Sequence, residues 1–252
     1  MNSCVVEASG LVAGYRRGDP VLRGVSIRLE PGLNAIVGPN GGGKTTLLRV
    51  LAGVLRPWSG EARICGYPAG SVEARRLTGY LPPQGGEDPL IRSIDAVVAG
   101  RYGVSRGLHW SREDWEASWS ALERLGVKGL AHRRLGELSS GQRRLILLAS
   151  VLARNPRVLL LDEPFEPLDL RNRRLLALLL KNLANQGVVV AFTLHDPLLL
   201  AMADKAFLLS DGRIRELESP MDAARALREA YGVPVELVEA GGRLVPLPLT
   251  WL

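Results

Sequence analysis

Gly38-Pro39-Asn40-Gly41-Gly42-Gly43-Lys44-Thr45-Thr46 is the stretch whose reading decides the fold. It carries G-x-x-x-x-G-K-[ST], the pattern of a phosphate-binding loop. Leu33-Asn34-Ala35-Ile36-Val37 precedes it, short, apolar and strand-like. Leu47, Leu48, Leu51 and Leu55 follow it at helical spacing and share one face. Strand, glycine loop and helix form the context the motif needs. Glycines let backbone N–H groups converge on phosphate oxygens without a Cβ clash. The helix N-terminus adds partial positive charge at the same place. Lys44 is expected to reach the β- and γ-phosphates, and the Thr45 hydroxyl to ligate Mg²⁺.

The chain of 252 residues fits one large α/β domain or a domain with an inserted lobe. Its 46% hydrophobic and 23% charged content is that of a globular protein with an ordinary core. The net charge is +6, supplied almost wholly by arginine. Pairs such as Arg75-Arg76, Arg133-Arg134 and Arg143-Arg144 are scattered, form no basic tract, and read as solvated surface. No nucleic-acid partner is therefore expected. Cys4 and Cys65 form no metal-ligand or redox spacing; a reducing compartment fits, and neither receives a role. The first ten residues lack a charged segment followed by an apolar one, and no apolar run reaches membrane-spanning length. The expected location is cytoplasmic.

Outward from the loop, residues 3–30 read as strands and turns, with alternation in Val25–Glu30. Ser93–Ala99 reads as a helix, and a second opens at Ser111-Arg112-Glu113-Asp114 and runs to about Leu125. Trp115, Trp119 and Leu122 form a stripe on it, either a partner face or core packing. Arg143–Ala153 is a further apolar helix. Val158-Leu159-Leu160-Leu161-Asp162-Glu163 is a continuous apolar run ending in two acids, and Val188–His195 a second run ending in histidine. Both read as strands buried on two faces. The leucine-rich helix Asn172–Asn185 between them makes a βαβ unit. A hairpin with an Asp211-Gly212 turn follows, then a short helix, Asp222–Ala230, and an apolar, proline-rich tail.

In open parallel sheets ligands sit at the carboxyl ends of the strands. The phosphate loop, Asp162-Glu163 and His195 leave three such ends. Asp162 suits Mg²⁺, because hard cations take oxygen ligands. Glu163 can take a proton from attacking water. His195 can donate to the γ-phosphate, and Gln84 can orient water or complete the metal shell. Phosphoryl transfer needs mainly positioning and charge stabilisation.

These motifs together resemble the ATP-binding subunits of ABC transporters along nearly the whole chain. Tyr15 matches the base-stacking aromatic, and Gly38, Pro39, Asn40, Gly41, Gly42, Gly43, Lys44, Thr45 and Thr46 the Walker A loop. Gln84 matches the Q-loop glutamine. Leu138-Ser139-Ser140-Gly141-Gln142 matches the signature usually written Leu-Ser-Gly-Gly-Gln, residues 158–163 the Walker B strand, Asp169 the D-loop aspartate and His195 the switch histidine. The resemblance implies an α/β P-loop NTPase of RecA-like type. Its core and N-terminal antiparallel β subdomain would span 1–84 and 151–218, an inserted helical subdomain 85–150 and a C-terminal extension 219–252. It implies an ATPase that binds ATP and Mg²⁺ in a head-to-tail homodimer, with Thr45, Gln84 and Asp162 on the metal and Glu163, His195 and Gln84 in catalysis. Ser139, Ser140, Gly141 and Gln142 would grip the partner's ATP.

It also implies integral membrane permease subunits contacted through 85–150, an extracytoplasmic substrate-binding protein, and a place at the inner face of the membrane. Gly100-Arg101-Tyr102-Gly103 and the Tyr231–Glu236 tail are similar to importers of iron-siderophore, haem or cobalamin. Asp162-Glu163-Pro164-Phe165 is similar to zinc/manganese importers. A non-transport ABC ATPase, for iron–sulfur assembly or ribosome work, is the alternative from another class. Ser140 stands where glycine is usual and is expected to loosen dimer closure. Gly42 replaces the common serine or alanine, a change expected to be harmless.

Overall fold

The computed structural model describes residues 4–83, 87–105, 109–194, 196–240 and 242–249. In chain order it begins with β1 (Val6–Ala13), β2 (Leu22–Leu29), β3 (Gly32–Val37), α1 (Lys44–Leu51), β4 (Ser59–Ile64) and β5 (Tyr67–Pro68). Then come α2 (Val72–Leu77), β6 (Thr78–Leu81), α3 (Ser93–Ala99), α4 (Arg112–Arg124), α5 (Ser140–Leu152) and β7 (Val158–Leu161). The chain continues through α6 (Leu170–Asn185), β8 (Val189–Leu194), β9 (Lys205–Ser210), β10 (Arg213–Glu216), α7 (Pro220–Tyr231), β11 (Val235–Ala240) and β12 (Arg243–Pro248).

The central sheet has the order β10-β9-β3-β8-β7-β6. It is parallel from β9 through β3, β8 and β7 to β6, with β10 antiparallel at the edge. Every residue of β3, β7 and β8 is buried, which is why these runs show no polar alternation. Their side chains still alternate in direction. Ile36, Val158, Leu160, Val189 and Ala191 face α1 and the antiparallel sheet. Ala35, Leu159, Leu161, Val190 and Phe192 face α5 and α6. The three-layer architecture thus follows from one apolar run read two ways.

A second sheet, β2-β1-β4-β5, is antiparallel throughout and packs on the α1 side. The helices α3, α4 and α5 pack on one another. Trp115 and Trp119 are partly buried against the core around Leu122, and Trp119 meets His132 edge-on at 5.8 Å. Within the chain the stripe packs on the core, with both tryptophans still partly exposed. Within this layer Arg101 donates to Asp114 at 2.6 Å, both side chains being almost wholly buried. Burial pushes the Asp114 carboxyl up, but hydrogen bonds from Arg101, Ser111 and Ser105 outweigh it and hold the group well below the usual carboxylate range.

The C-terminal extension is more ordered than its prolines suggested. α7 packs Ala223, Ala224, Ala226 and Leu227 with Val37 and Leu208, at the end of the phosphate-loop strand. β11 and β12 then form a two-stranded hairpin, with Pro246 and Pro248 paired against Leu237 and Val235. A proline is tolerated there because each strand has one free edge.

The reading of the cysteines is corrected. Cys4 and Cys65 form a disulfide across a sequence separation of 61, with Cα atoms 4.4 Å apart. The antiparallel pairing of β1 with β4 sets Val6 opposite Ile64 and so brings the flanking cysteines together. Sequence distance hid this adjacency. A cross-link over so long a loop is expected to stabilise by about 2–4 kcal/mol. Cys4→Ser should lower the denaturation midpoint accordingly, and a reductant should lower the wild type to the same value while leaving the variant unmoved.

Candidate functional site: the phosphate loop and the strand ends beside it

β3 delivers Val37 into the loop. Gly38 (φ 156), Gly41 (φ 79) and Gly43 (φ 106) take conformations that L-residues with side chains rarely adopt. A Cβ on Gly42 would lie 2.8 Å from the Leu209 carbonyl oxygen and 3.1 Å from that of Pro39. Glycine at 42 therefore fits a close approach of β9 that a serine could meet only with a shift.

Lys44 is 6% exposed. Its ammonium donates to the carbonyls of Gly38 at 2.6 Å and Pro39 at 3.0 Å. Burial lowers its pKa, and the charges of Glu163 and Asp162 oppose that shift. A cleft of about 330 Å³ lies over the loop, lined by Tyr15, Val21, Asn40, Gly41, residues 43–46 and Glu163. Two larger cavities, about 550 and 490 Å³, lie beside Arg243 of the C-terminal hairpin. Neither contains the converging loop backbone that phosphate binding requires.

Tyr15 is 57% exposed at the cleft's edge. Arg49 donates to its hydroxyl at 2.9 Å and lies over the ring, 5.7 Å from the centroid. The hydroxyl also lies 3.3 Å from Thr46 Oγ1. The ring is therefore held in place with one face taken by Arg49.

Asp162 is fully buried at the end of β7. Thr193 of β8 donates its hydroxyl to Asp162 Oδ1 at 2.7 Å and accepts the Glu163 N–H at 2.8 Å. One hydroxyl thus aligns both acids. Asp162 Oδ2 is buried with no hydrogen-bond partner among the described residues. Such an orphan is costly unless a ligand meets it. No group of three or more His, Cys, Asp or Glu able to hold a metal occurs among the described residues. One carboxylate and the Thr45 hydroxyl are what a nucleotide's Mg²⁺ needs, since the phosphates supply further ligands. The residues present fit that ion. Glu163 sits at φ 50, a strained conformation of the kind that collects at functional sites.

The signature residues lie apart from this cleft. Ser139 caps α5, its hydroxyl accepting Gln142 N–H at 3.2 Å while Gln142 Oε1 accepts Ser139 N–H at 3.1 Å. Leu138 is buried and anchors the turn; Ser139 and Ser140 are exposed. Asp169 likewise caps α6 through Asn172 N–H, at 2.8 Å. The structure therefore joins Tyr15, the loop, Asp162 and Glu163, and leaves Ser139, Ser140, Gly141, Gln142 and Asp169 outside the cleft. Gln84 and His195 lie outside the described residues. Sequence reasoning missed Thr193, Arg49 and Arg144. Thr193 is the single hydroxyl in the β8 run, and that was the available signal. Arg144 is a correction: expected in solvent, it is 2% exposed.

A parallel sheet carrying this loop at the end of β3 and these acids at the end of β7, with β8 between them, defines a P-loop NTPase. The comparisons narrow the class. Residues 22–166 match the family model described as ABC transporter. The chain belongs to that family and is an ATP-binding ATPase. It is 36% identical over 239 residues to the hemin import ATP-binding protein of Streptomyces coelicolor, covering 92% of this chain and 85% of that one. It is 34% identical over 196 residues to the manganese transport system ATP-binding protein of a Synechocystis strain, covering 76% and 75%. Among solved structures it is similar to a chain assigned to a metal-chelate type ABC transporter in an inward-facing conformation, with TM-score 0.80, 26% identity and 98% of each chain covered. It is also similar to a dimeric ATP-binding cassette bound to ADP and Pi, with TM-score 0.77, 25% identity, and 84% of this chain and 97% of that one covered. No helix among the described residues is long and apolar enough to cross a membrane.

Proposed function

We propose that the chain is the ATP-hydrolysing subunit of an importer of metal chelates of the haem, iron-siderophore or cobalamin type. The observation that carries the cargo class is how far along the chain the likeness extends. The metal-chelate transporter chain is matched over 98% of this chain, and the hemin import protein over 92%. The manganese relative is matched over 76%. The fuller matches favour the chelate class.

ATP binds with its phosphates on the loop N–H groups and Lys44, and with its base on the open face of Tyr15. Thr45 and Asp162 hold Mg²⁺, with Gln84 completing the shell. The ion supplies charge neutralisation on the β- and γ-phosphates. Glu163 takes the proton of the attacking water, and His195 donates to the γ-phosphate. In a single copy Ser139, Ser140, Gly141 and Gln142 do not line its own cleft. Two copies head to tail set the exposed α5 N-terminus of one against the ATP of the other, where N–H groups and helix dipole attract phosphate. Asp169 meets the partner at the same seam. The helical lobe, 85–150, contacts permease subunits at the inner face of the membrane and passes closure to them. An extracytoplasmic binding protein delivers cargo.

Co-purification from native membranes tests the assignment. A polytopic permease should elute with the chain. Vesicles holding the complex should take up hemin or a ferric chelate with ATP, and not Mn²⁺. Uptake of Mn²⁺ alone would reassign the cargo. Recovery with no membrane subunit and salt-sensitive RNA binding would end the transport reading.

A further inference from the structure

Arg143 and Arg144 stand side by side yet differ in kind. The Arg144 guanidinium is buried beneath the catalytic strand ends. Nη1 donates to the carbonyl of Pro82 at 2.6 Å. Nη2 donates to the carbonyl of Asp162 and, at 3.1 Å, to that of Glu163. One side chain thus binds two separate segments, the chain just after β6 and the chain just after β7. Its own helix, α5, begins at the capping serine of the signature. Burial disfavours the Arg144 charge, and the carboxylates of Asp162 and Glu163 offset that. The Nε atom is buried with no partner among the described residues. A cation held at that cost, forked over three carbonyls, is a device for geometry.

We infer that Arg144 is a positioning residue for hydrolysis, fixing the backbone of Glu163 and tying it to the signature helix. The inference rests on Glu163 being the base, as proposed above. Glu163 is held at its left-handed φ from both sides: Thr193 accepts its N–H, and Arg144 donates to its carbonyl. Release of either contact lets the residue relax and swings the carboxylate away from the water it must deprotonate. Because the same fork holds Pro82, the start of the segment leading to Gln84 moves with α5 as well. A partner's ATP that pulls on the N-terminus of α5 therefore reaches the base through one guanidinium.

The test compares Arg144→Gln and Arg144→Lys, each alone and in a Glu163→Gln background, in the full-length chain. Phosphate release gives kcat, and a fluorescent ATP analogue gives Kd. Arg144→Gln should lower kcat about tenfold or more, the size expected of a modest misplacement. Its nucleotide Kd should stay within about twofold of wild type, since no phosphate contact is lost. Arg144→Lys, which can meet one carbonyl but not three, should recover part of the rate. In the Glu163→Gln background the added loss should vanish, because the group being positioned is gone. An equal loss in both backgrounds, or a Kd that worsens as much as kcat falls, would overturn the inference. Should Arg144→Gln not fold, Arg144→Lys in the two backgrounds makes the same comparison. Glu163→Gln with an unchanged kcat would instead remove the base assignment itself.

Discussion

Replacing Glu163 with glutamine is expected to cut ATP hydrolysis by about 10²–10⁴-fold, the usual contribution of a general base. The substitution is nearly isosteric. Its backbone still donates to Thr193 Oγ1 and still accepts from Arg144, so the strand end keeps its shape. Asp162 and Thr45, the oxygen pair suited to Mg²⁺, are untouched. What disappears is the one carboxylate lining the cleft among the described residues, the group placed to accept a proton from water. Nucleotide affinity should therefore hold while turnover collapses. The same variant should be a dimer with ATP and Mg²⁺, because the triphosphate that bridges two copies is no longer cleaved. Phosphate release and size-exclusion chromatography, with and without ATP, read the two effects separately. A variant that loses turnover yet stays monomeric would keep Glu163 as base and discard the two-copy arrangement.

The parts legible in the sequence share a physical reason. Each depends on a short stretch and its immediate neighbours. The loop at 38–46, the uninterrupted run before Asp162-Glu163, and the Asp211-Gly212 turn, where both residues take positive φ, are local patterns. The helix at Ser93–Ala99 is also local in its apolar spacing, but Ser93 is not its cap: Arg92 holds that position, and the Ser93 hydroxyl donates instead to the Arg133 carbonyl at 3.0 Å. The parts that escaped depend on register. Thr193 matters only because β8 lies beside β7 with Phe192 opposite Leu161, which sets its hydroxyl against Asp162. Arg144 reads like any member of an arginine pair until α5 is laid against the strand ends. Cys4 and Cys65 meet only through the β1–β4 pairing. The terminal hairpin carries prolines in strand positions, a composition that argues against a strand unless the strand is an edge. Helix α2 is only six residues long, too short for a periodic signal.

A single methyl group at residue 38 should do nearly as much damage as loss of the base. An ideal Cβ on Gly38 lies 2.0 Å from the carbonyl oxygen of Leu209 and 2.9 Å from its carbon. That carbonyl cannot step aside. Leu209 is fully buried, and its strand is paired on both edges, Leu208 with Val37 and Leu209 with Ile214. The loop must yield instead, and φ 156 at residue 38 adds strain for any residue with a side chain. Gly38 is where the loop leaves β3, and its carbonyl accepts the Lys44 ammonium at 2.6 Å. Displacement there shifts the N–H groups and the lysine together. Gly38→Ala is expected to weaken ATP binding by about 10–100-fold or more, since each hydrogen bond to a charged phosphate that is lost costs about 1.5–3 kcal/mol. It should also lower unfolding stability by about 1–3 kcal/mol, as overpacking does. Gly41→Ala is the matched control. Its φ of 79 is also left-handed, but a Cβ there meets nothing within 4 Å. It carries conformational strain alone, about 1–2 kcal/mol, and should bind ATP far better than Gly38→Ala. Calorimetric titration with ATP, beside urea denaturation of both variants, separates close approach from backbone strain. Equal affinities for the two would mean that the contact with Leu209 does not set the shape of the loop.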